Sequence, residues 1–311
     1  MPVLPPVILL MGPTASGKSA LGLALAERLD AEIISVDSAQ IYRGMDIGTA
    51  KPTPQEQARV PHHLIDILEP EQNWSAAEFV SGARELIQEV RERGRVPILL
   101  GGTMLYFRAL IQGMDAIPEV DPEVRSTLRQ RVQAVGAEAL HAELQQVDPV
   151  AAARIRPSDP QRIVRALEVF HSSGQPLSRF QTGAHRAMSA QDLPEDWHAF
   201  ALWPQDRAVL RQQIALRFTQ MLASGFVTEL QDLMARPLLT ANHASQRAVG
   251  YRQGWDWLLG RCDEATFHQR AIHATRQLAK RQLTWLRSME GIQRLPTTPE
   301  ALPMVLRSLQ L

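Results

Sequence analysis

Residues 12 to 19, Gly12-Pro13-Thr14-Ala15-Ser16-Gly17-Lys18-Ser19, set two glycines around a four-residue spacer and close on a lysine and a hydroxyl. This is the pattern of a P-loop. Backbone N–H groups at a helix N-terminus attract phosphate oxygens, Lys18 adds a mobile positive charge, and the Ser19 hydroxyl can ligate Mg2+. A chance lysine beside a glycine turn would lack the apolar run before it (Val7 to Met11) and the Ala- and Leu-rich stretch after it (Ala20 to Leu29). The segment is therefore read as a phosphate site of the kind found in ATP-binding proteins. Phosphoryl transfer, hydrolysis and departure of pyrophosphate all use the same cradle, so the motif alone does not choose the reaction.

Asp37 ends a second apolar run, EIISVD, and opens the segment DSAQIYRGMDIGTAKP from Asp37 to Pro52. A carboxylate there can hold magnesium, take a proton from an attacking nucleophile, or cap a turn through the N–H groups that follow it. Spacing alone leaves the cap and the chemical roles open. A third signal lies in FHQRAIHATRQLAKRQLTWLR, Phe267 to Arg287, where Ile272, Ala279, Leu283 and Leu286 share one helical face and basic residues cover another. No acid occurs from Ala265 to Met289, which weights that face toward a phosphate backbone. Arg162 and Arg165, one turn apart, and Arg207, Arg211 and Arg217 are expected to make structural ion pairs. His62 and His63 are adjacent on a strand and point to opposite faces, which argues against a shared metal.

These residues need elements to hold them. Strands are predicted at Val7 to Met11, Glu32 to Asp37, His62 to Leu68 and Val96 to Leu100, alternating with helices over Ala20 to Leu29 and Ser75 to Gly94 and one after Gly101-Gly102-Thr103. Such alternation implies a parallel sheet that binds ligands at the carboxyl ends of its strands, where Gly12, Asp37 and Thr103 all fall. From about Ile117 the texture becomes helical and charged, punctuated by Asp-Pro pairs. Short apolar pieces return between Asp192 and Trp203, and everything after Asp206 again looks helical. The expected organisation is an α/β core over residues 1–116, an inserted helical subdomain over 117–190, and a return to the core with C-terminal helices over 191–311.

Composition is that of an ordinary globular chain, with 45% hydrophobic and 21% charged residues in a length of 311. Basic and acidic residues balance at 33 each, so any polyanion site must be local. The lone Cys262 excludes an intramolecular disulfide and a cysteine zinc site, in keeping with a reducing cytoplasm. No stretch is long enough to span a bilayer, and nothing requires more than a monomer.

In order along the chain, GPTASGKS, DSAQIYRGMDIGTAKP, PHHLIDI, GGTMLYFRAL, RIVRALEV, GYRQG and TRQLAKRQLTWLR resemble the motifs of the bacterial tRNA dimethylallyltransferases, the IPP transferase family. The resemblance runs from about Val7 to Arg287. It implies a P-loop NTPase-like parallel-sheet core with an inserted helical subdomain. It also implies transfer of a dimethylallyl group from dimethylallyl diphosphate to N6 of the adenine just 3′ of the anticodon, in tRNAs reading codons that begin with U, with release of pyrophosphate. The loop residues Gly12 to Ser19 would then hold the diphosphate, with Mg2+ at Ser19. Asp37 would be the general base, Thr103 a hydrogen-bonding partner of the base or a diphosphate oxygen, and Arg217 a further neutralising charge. Contacts to the anticodon stem-loop map by the same resemblance onto Asp37, Ser38, Ala39, Gln40, Thr103, Arg125, Gln161, Arg162, Ile163, Val164, Arg165, Gln246, Arg247, Gly250, Tyr251, Arg252, Arg276, Gln277, Lys280 and Arg281. Many relatives have Thr where this chain has Ser19, and either hydroxyl serves a metal. The zinc finger of eukaryotic relatives is missing. The rival readings are a P-loop kinase of a nucleoside or small metabolite, for which no arginine-rich lid is found, and an RNA-binding protein regulated by nucleotide.

Overall fold

The strands are β1 (Val7–Met11), β2 (Ala31–Val36), β3 (His62–His63), β4 (Val96–Gly101), β5 (Trp197–Leu202) and β6 (Gln293–Leu295) in a computed structural model that describes residues 4–181 and 187–310. All pair in parallel, in the order β3-β2-β4-β1-β5-β6. The helices are α1 (Lys18–Leu29), α2 (Pro54–Arg59), α3 (Ala76–Glu92), α4 (Met104–Gln112), α5 (Pro122–Val147), α6 (Pro149–Arg154), α7 (Pro160–Ser173), α8 (Leu177–Phe180), α9 (Arg207–Ala223), α10 (Phe226–Met234), α11 (Tyr251–Leu258), α12 (Glu264–Ser288) and α13 (Ala301–Ser308). Among the described residues, no helix is long and apolar enough to cross a membrane.

The continuous apolar runs make strands because both faces of the sheet are covered. Val7, Leu9 and Met11 of β1 pack with Ile34, Val36 and Leu99 against Phe79, Ala83 and Ile87 of α3 and Phe107 and Leu110 of α4. Ile8 and Leu10 turn the other way, onto Leu21 and Leu25 of α1 and Ala301 and Val305 of α13. Each fully buried Ile or Leu contributes about 1.5–3 kcal/mol, so a one-residue slip of β1 would exchange two cores at once. The bounds of α3 follow its caps. Ser75 Oγ accepts from the Glu78 N–H at 3.1 Å, Glu78 accepts from the Ser75 N–H at 2.7 Å, and Gly94 leaves the helix at φ 75°.

Two sequence expectations fail here. The strand predicted from His62 to Leu68 stops after His63, because Leu64 and Asp66 adopt left-handed φ of 58° and 53°. The chain turns there, and Ile67 and Leu68 donate instead to Ile41 O. Conversely, the C-terminal part is not wholly helical. β6 adds a strand beside β5, and Trp203 N–H donates to Leu295 O at 2.8 Å.

Of the described residues, those up to Gln112 and from Ala187 onward form one compact unit, and those from Gly113 to Gln181 a second. The second is an all-helical unit around Leu128, Leu140, Leu144, Ile163, Val164, Leu167 and Leu177. Its Asp-Pro pairs are helix starts. Asp121, Asp148 and Asp159 accept from the N–H groups of Glu123, Ala151 and Arg162 at 2.8, 3.0 and 3.1 Å, and the following proline takes the first helical position. Gly136, at φ 83°, breaks α5 midway.

Candidate active site

The loop between β1 and α1 is shaped by its glycines. A Cβ at Gly12 would lie 2.9 Å from Ser16 Oγ and 3.3 Å from Leu202 Cβ, and Gly17 sits at φ 84°. The fold leaves backbone donors unused here. The N–H groups of Ala15, Gly17, Lys18 and Ser19 have no acceptor among the described residues, and the buried Ser16 hydroxyl has none either. Unsatisfied donors at a helix N-terminus form an anion site. Among the described residues, Lys18 Nζ reaches only Pro13 O, at 3.4 Å. Burial lowers its ammonium from 10.5 to about 8, with Asp37 opposing that shift and Arg217 adding to it.

Arg217 comes from α9, whose Leu210, Ile214 and Phe218 are buried. Its guanidinium points to Thr14 Oγ1 at 3.5 Å, and burial lowers its pKa, with Asp37 opposing. Asp37 follows β2. Its Oδ1 accepts from the Ala39 N–H at 2.9 Å, so the capping role is real, yet the other oxygen takes no protein donor among the described residues. Thr103 is locked beside it, because Thr103 Oγ1 accepts from the Ser38 N–H and Thr103 N–H donates to Val36 O, both at 3.1 Å. Its own hydroxyl proton stays available. Asp37, Lys18, Arg217 and the loop line one cavity of about 490 Å3, whose remaining wall includes the apolar side chains of Ile214, Phe218, Met221, Phe226 and Leu278.

A cavity that pairs a phosphate cradle with an apolar wall fits few chemistries, and comparison with known proteins narrows them. The family model described as IPP transferase matches residues 40–289. The chain belongs to the IPP transferase family. Among curated family relatives, the tRNA dimethylallyltransferase of Thioalkalivibrio sulfidiphilus is 55% identical over 94% of this chain and 90% of its own length. That of Acidovorax sp. is 56% identical over 91% and 89%. The crystal structure of the full-length tRNA isopentenylpyrophosphate transferase of Bacillus halodurans superposes with a TM-score of 0.71 at 35% identity, covering 98% of this chain and 95% of that one. A eukaryotic dimethylallyltransferase seen acting on tRNA has a TM-score of 0.76 at 24% identity, which speaks to the IPP transferase fold alone.

Not every residue mapped from the family is free to touch RNA. Ile163 and Val164 are core residues of the helical unit, and Gln246 and Tyr251 are each 0% exposed, so their side chains offer no surface to a tRNA. Tyr251 instead donates to Glu229 at 2.5 Å, and Glu229 also accepts the N–H groups of Asp46, Ile47 and Gly48 at 2.8, 2.6 and 3.1 Å. Its task is to hold the GMDIGTAKP loop, where a Cβ at Gly48 would strike the Tyr251 ring at 2.6 Å. Gly250, buried with it, starts α11 and lines the cavity. Gln40 is half-buried, accepting from Ser35 Oγ at 2.9 Å and donating to Ala50 O at 3.2 Å.

The expected ion pairs divide in the same way. Arg162 pairs with Asp159, and Arg125 and Arg165 both pair with Glu168, while Gln161 is exposed beside them. Arg207, Arg211 and Arg217 form no salt bridge among the described residues, contrary to expectation, because α9 carries no acid and packs on α12, whose one acid, Glu264, stands at its first position beside His268. Arg247, Arg252, Arg276, Gln277, Lys280 and Arg281 are exposed. Sequence reasoning missed Gln282 as an individual site residue. It is a polar residue among Ala279, Leu283 and Leu286 on the buried side of α12, and that misplacement was its signal.

Proposed function

We propose that this chain catalyses transfer of a dimethylallyl group from dimethylallyl diphosphate to the N6 amine of the adenine just 3′ of the anticodon, in tRNAs reading UNN codons. Its close relatives are named tRNA dimethylallyltransferase, which supports this reading. The observation that carries the reading is that one cavity holds a free anion cradle, two cations with no carboxylate partner among the described residues, and a carboxylate beside an apolar wall. A prenyl diphosphate has the complementary halves, a dianionic or trianionic head and a branched hydrocarbon tail.

The exocyclic amine of adenine is a poor nucleophile, because its lone pair is delocalised into the ring. It gains reactivity as its proton is withdrawn. Asp37 accepts that proton while N6 bonds to the allylic carbon and the carbon–oxygen bond to diphosphate breaks. Negative charge develops on the departing pyrophosphate, where Lys18, the N–H groups of Ala15, Gly17, Lys18 and Ser19, and Arg217 meet it without reorganising. Thr103, fixed by Ser38, donates its hydroxyl to the base or to a diphosphate oxygen. No cluster of three His, Cys, Asp or Glu side chains that could hold a metal occurs among the described residues. Ser19, at the first turn of α1, would hold a Mg2+ through its hydroxyl. When bound it would neutralise the diphosphate further. Exposed Arg276, Lys280 and Arg281 supply charge for the RNA backbone, and reaching a stacked base requires extruding it into the cavity. Bacterial tRNA maturation takes place in the cytoplasm, and we place the chain there.

The test is to incubate unmodified tRNA with dimethylallyl diphosphate and Mg2+, and separately with ATP, and then weigh the nucleosides. A prenyl-sized gain on adenosine with the first donor only is expected. Phosphate transfer from ATP to a nucleoside or metabolite would instead establish the kinase alternative.

A further inference from the structure

We infer that Gln282 is a positioning residue that sets the phosphate loop in register with the residues that handle the nucleophile. This rests on the reading above that the loop holds a departing diphosphate. Gln282 projects from α12 and is only 8% exposed. Its Oε1 accepts the Thr14 N–H at 2.8 Å and its Nε2 donates to Gly102 O at 2.9 Å. The orientation of the amide is unambiguous, since a backbone N–H can only donate and a backbone carbonyl can only accept.

One amide thus bolts the β1–α1 loop to the turn after β4. That turn continues directly into Thr103, whose hydroxyl oxygen takes the Ser38 N–H and whose own N–H reaches Val36 O, on either side of Asp37. The chain of contacts runs from the diphosphate cradle through Gln282 and Gly102 to Thr103 and then to the Asp37 segment. Gly102 is fitted to this contact, because a Cβ there would lie 2.3 Å from Gln282 Nε2. The bond also removes the Thr14 N–H from the cradle, and the Ser16 N–H turns to Pro13 O, leaving the N–H groups of Ala15, Gly17, Lys18 and Ser19 for the anion. In-line transfer needs the leaving oxygen and the attacking nitrogen on opposite sides of one carbon. A strut across those two halves fixes that alignment, and a displacement of about 1 Å costs roughly 100-fold in rate.

Gln282→Met fills the same volume without either bond. Expected is a fall in kcat of about 30- to 100-fold, with tRNA affinity unchanged by filter binding and a cooperative thermal transition that is lowered by the two orphaned backbone groups but stays above the assay temperature. Binding of inorganic pyrophosphate, measured by calorimetry, should weaken several-fold in the same variant. Gln282→Glu, of the same shape but with an oxygen facing Gly102 O, carries the same expectation should the methionine variant fail to fold. Gly102→Ala should be severely impaired alone and cost much less in a Gln282→Ala background, where Gly12 O at 3.3 Å is the remaining close neighbour. Unchanged kcat and pyrophosphate affinity, or a loss of tRNA affinity in place of kcat, would overturn the inference. Failure of the parent chain to prenylate tRNA would instead sink the transfer reading, and the pyrophosphate titration would still decide the strut.

Discussion

The two ends of the sheet carry charge in opposite ways. At the amino end, Glu32 of β2 is buried and fully paired: Arg93 donates to both its oxygens at 3.0 and 2.7 Å, His63 meets it at 2.6 Å, and Arg95 spans it and Asp30 at 3.4 and 2.8 Å. The Arg93 hydrogen bonds are the largest cause that pulls its carboxyl down to about 2. At the carboxyl end, Lys18 and Arg217 are half-buried yet reach no carboxylate within salt-bridge distance among the described residues, and burial pushes both toward losing their protons. A half-buried charge without a partner is costly, and such groups cluster at functional sites. The amino end is finished by the chain itself; the carboxyl end is left open, as the anion site proposed above requires.

Breaking the carboxyl end should therefore cost activity first. Asp37→Asn removes the proton acceptor while preserving the Ala39 cap, and turnover, read as prenylated nucleoside by mass, should fall by about 100- to 10,000-fold. tRNA binding should persist. Survival of activity would reduce Asp37 to its capping role. Next in size is Lys18→Met, for which a drop of about 100- to 1,000-fold in kcat, with a raised KM for the diphosphate, is expected in steady-state assays.

A pH profile sharpens the same point. A lysine is charged below its pKa, and here that value is lowered to about 8. The kcat/KM for dimethylallyl diphosphate should accordingly hold below that pH and decline about tenfold per unit above it, as free enzyme loses the proton. Lys18→Arg should move that alkaline limb upward. The smallest effect on catalysis belongs to the amino end. Glu32→Gln should leave kcat unchanged while costing about 1–3 kcal/mol of stability near neutral pH in urea titrations. The sign follows from its depressed carboxyl. The ionised state stabilises the fold above the ordinary value of 4.5, and that gain is lost as pH falls toward about 2, where parent and variant should converge.

Much of this asymmetry was legible in the residues. The loop announced itself because its chemistry needs glycines and a lysine at fixed spacing in one short segment, and α3 declared both ends through Ser75 and Gly94. β3 was overdrawn because an apolar run cannot reveal the left-handed turns at Leu64 and Asp66. β6, three residues long, carries no periodic signal and forms only because β5 offers it an edge. Within the site, Asp37 and Thr103 stood at strand ends where a parallel sheet exposes them. Glu229 stayed hidden, because its partners are backbone N–H groups roughly 180 residues away in sequence, and backbone carries no residue signature. Tyr251 and Gln246 were placed on the RNA side because segment matching sees identity and not the direction of a side chain.

The most direct test of a cradle built for a leaving group is the fate of its phosphates. With unmodified tRNA, dimethylallyl diphosphate and Mg2+, pyrophosphate and prenylated adenosine should accumulate in equal amounts with no orthophosphate. Orthophosphate release, or phosphate appearing on an acceptor, would contradict it.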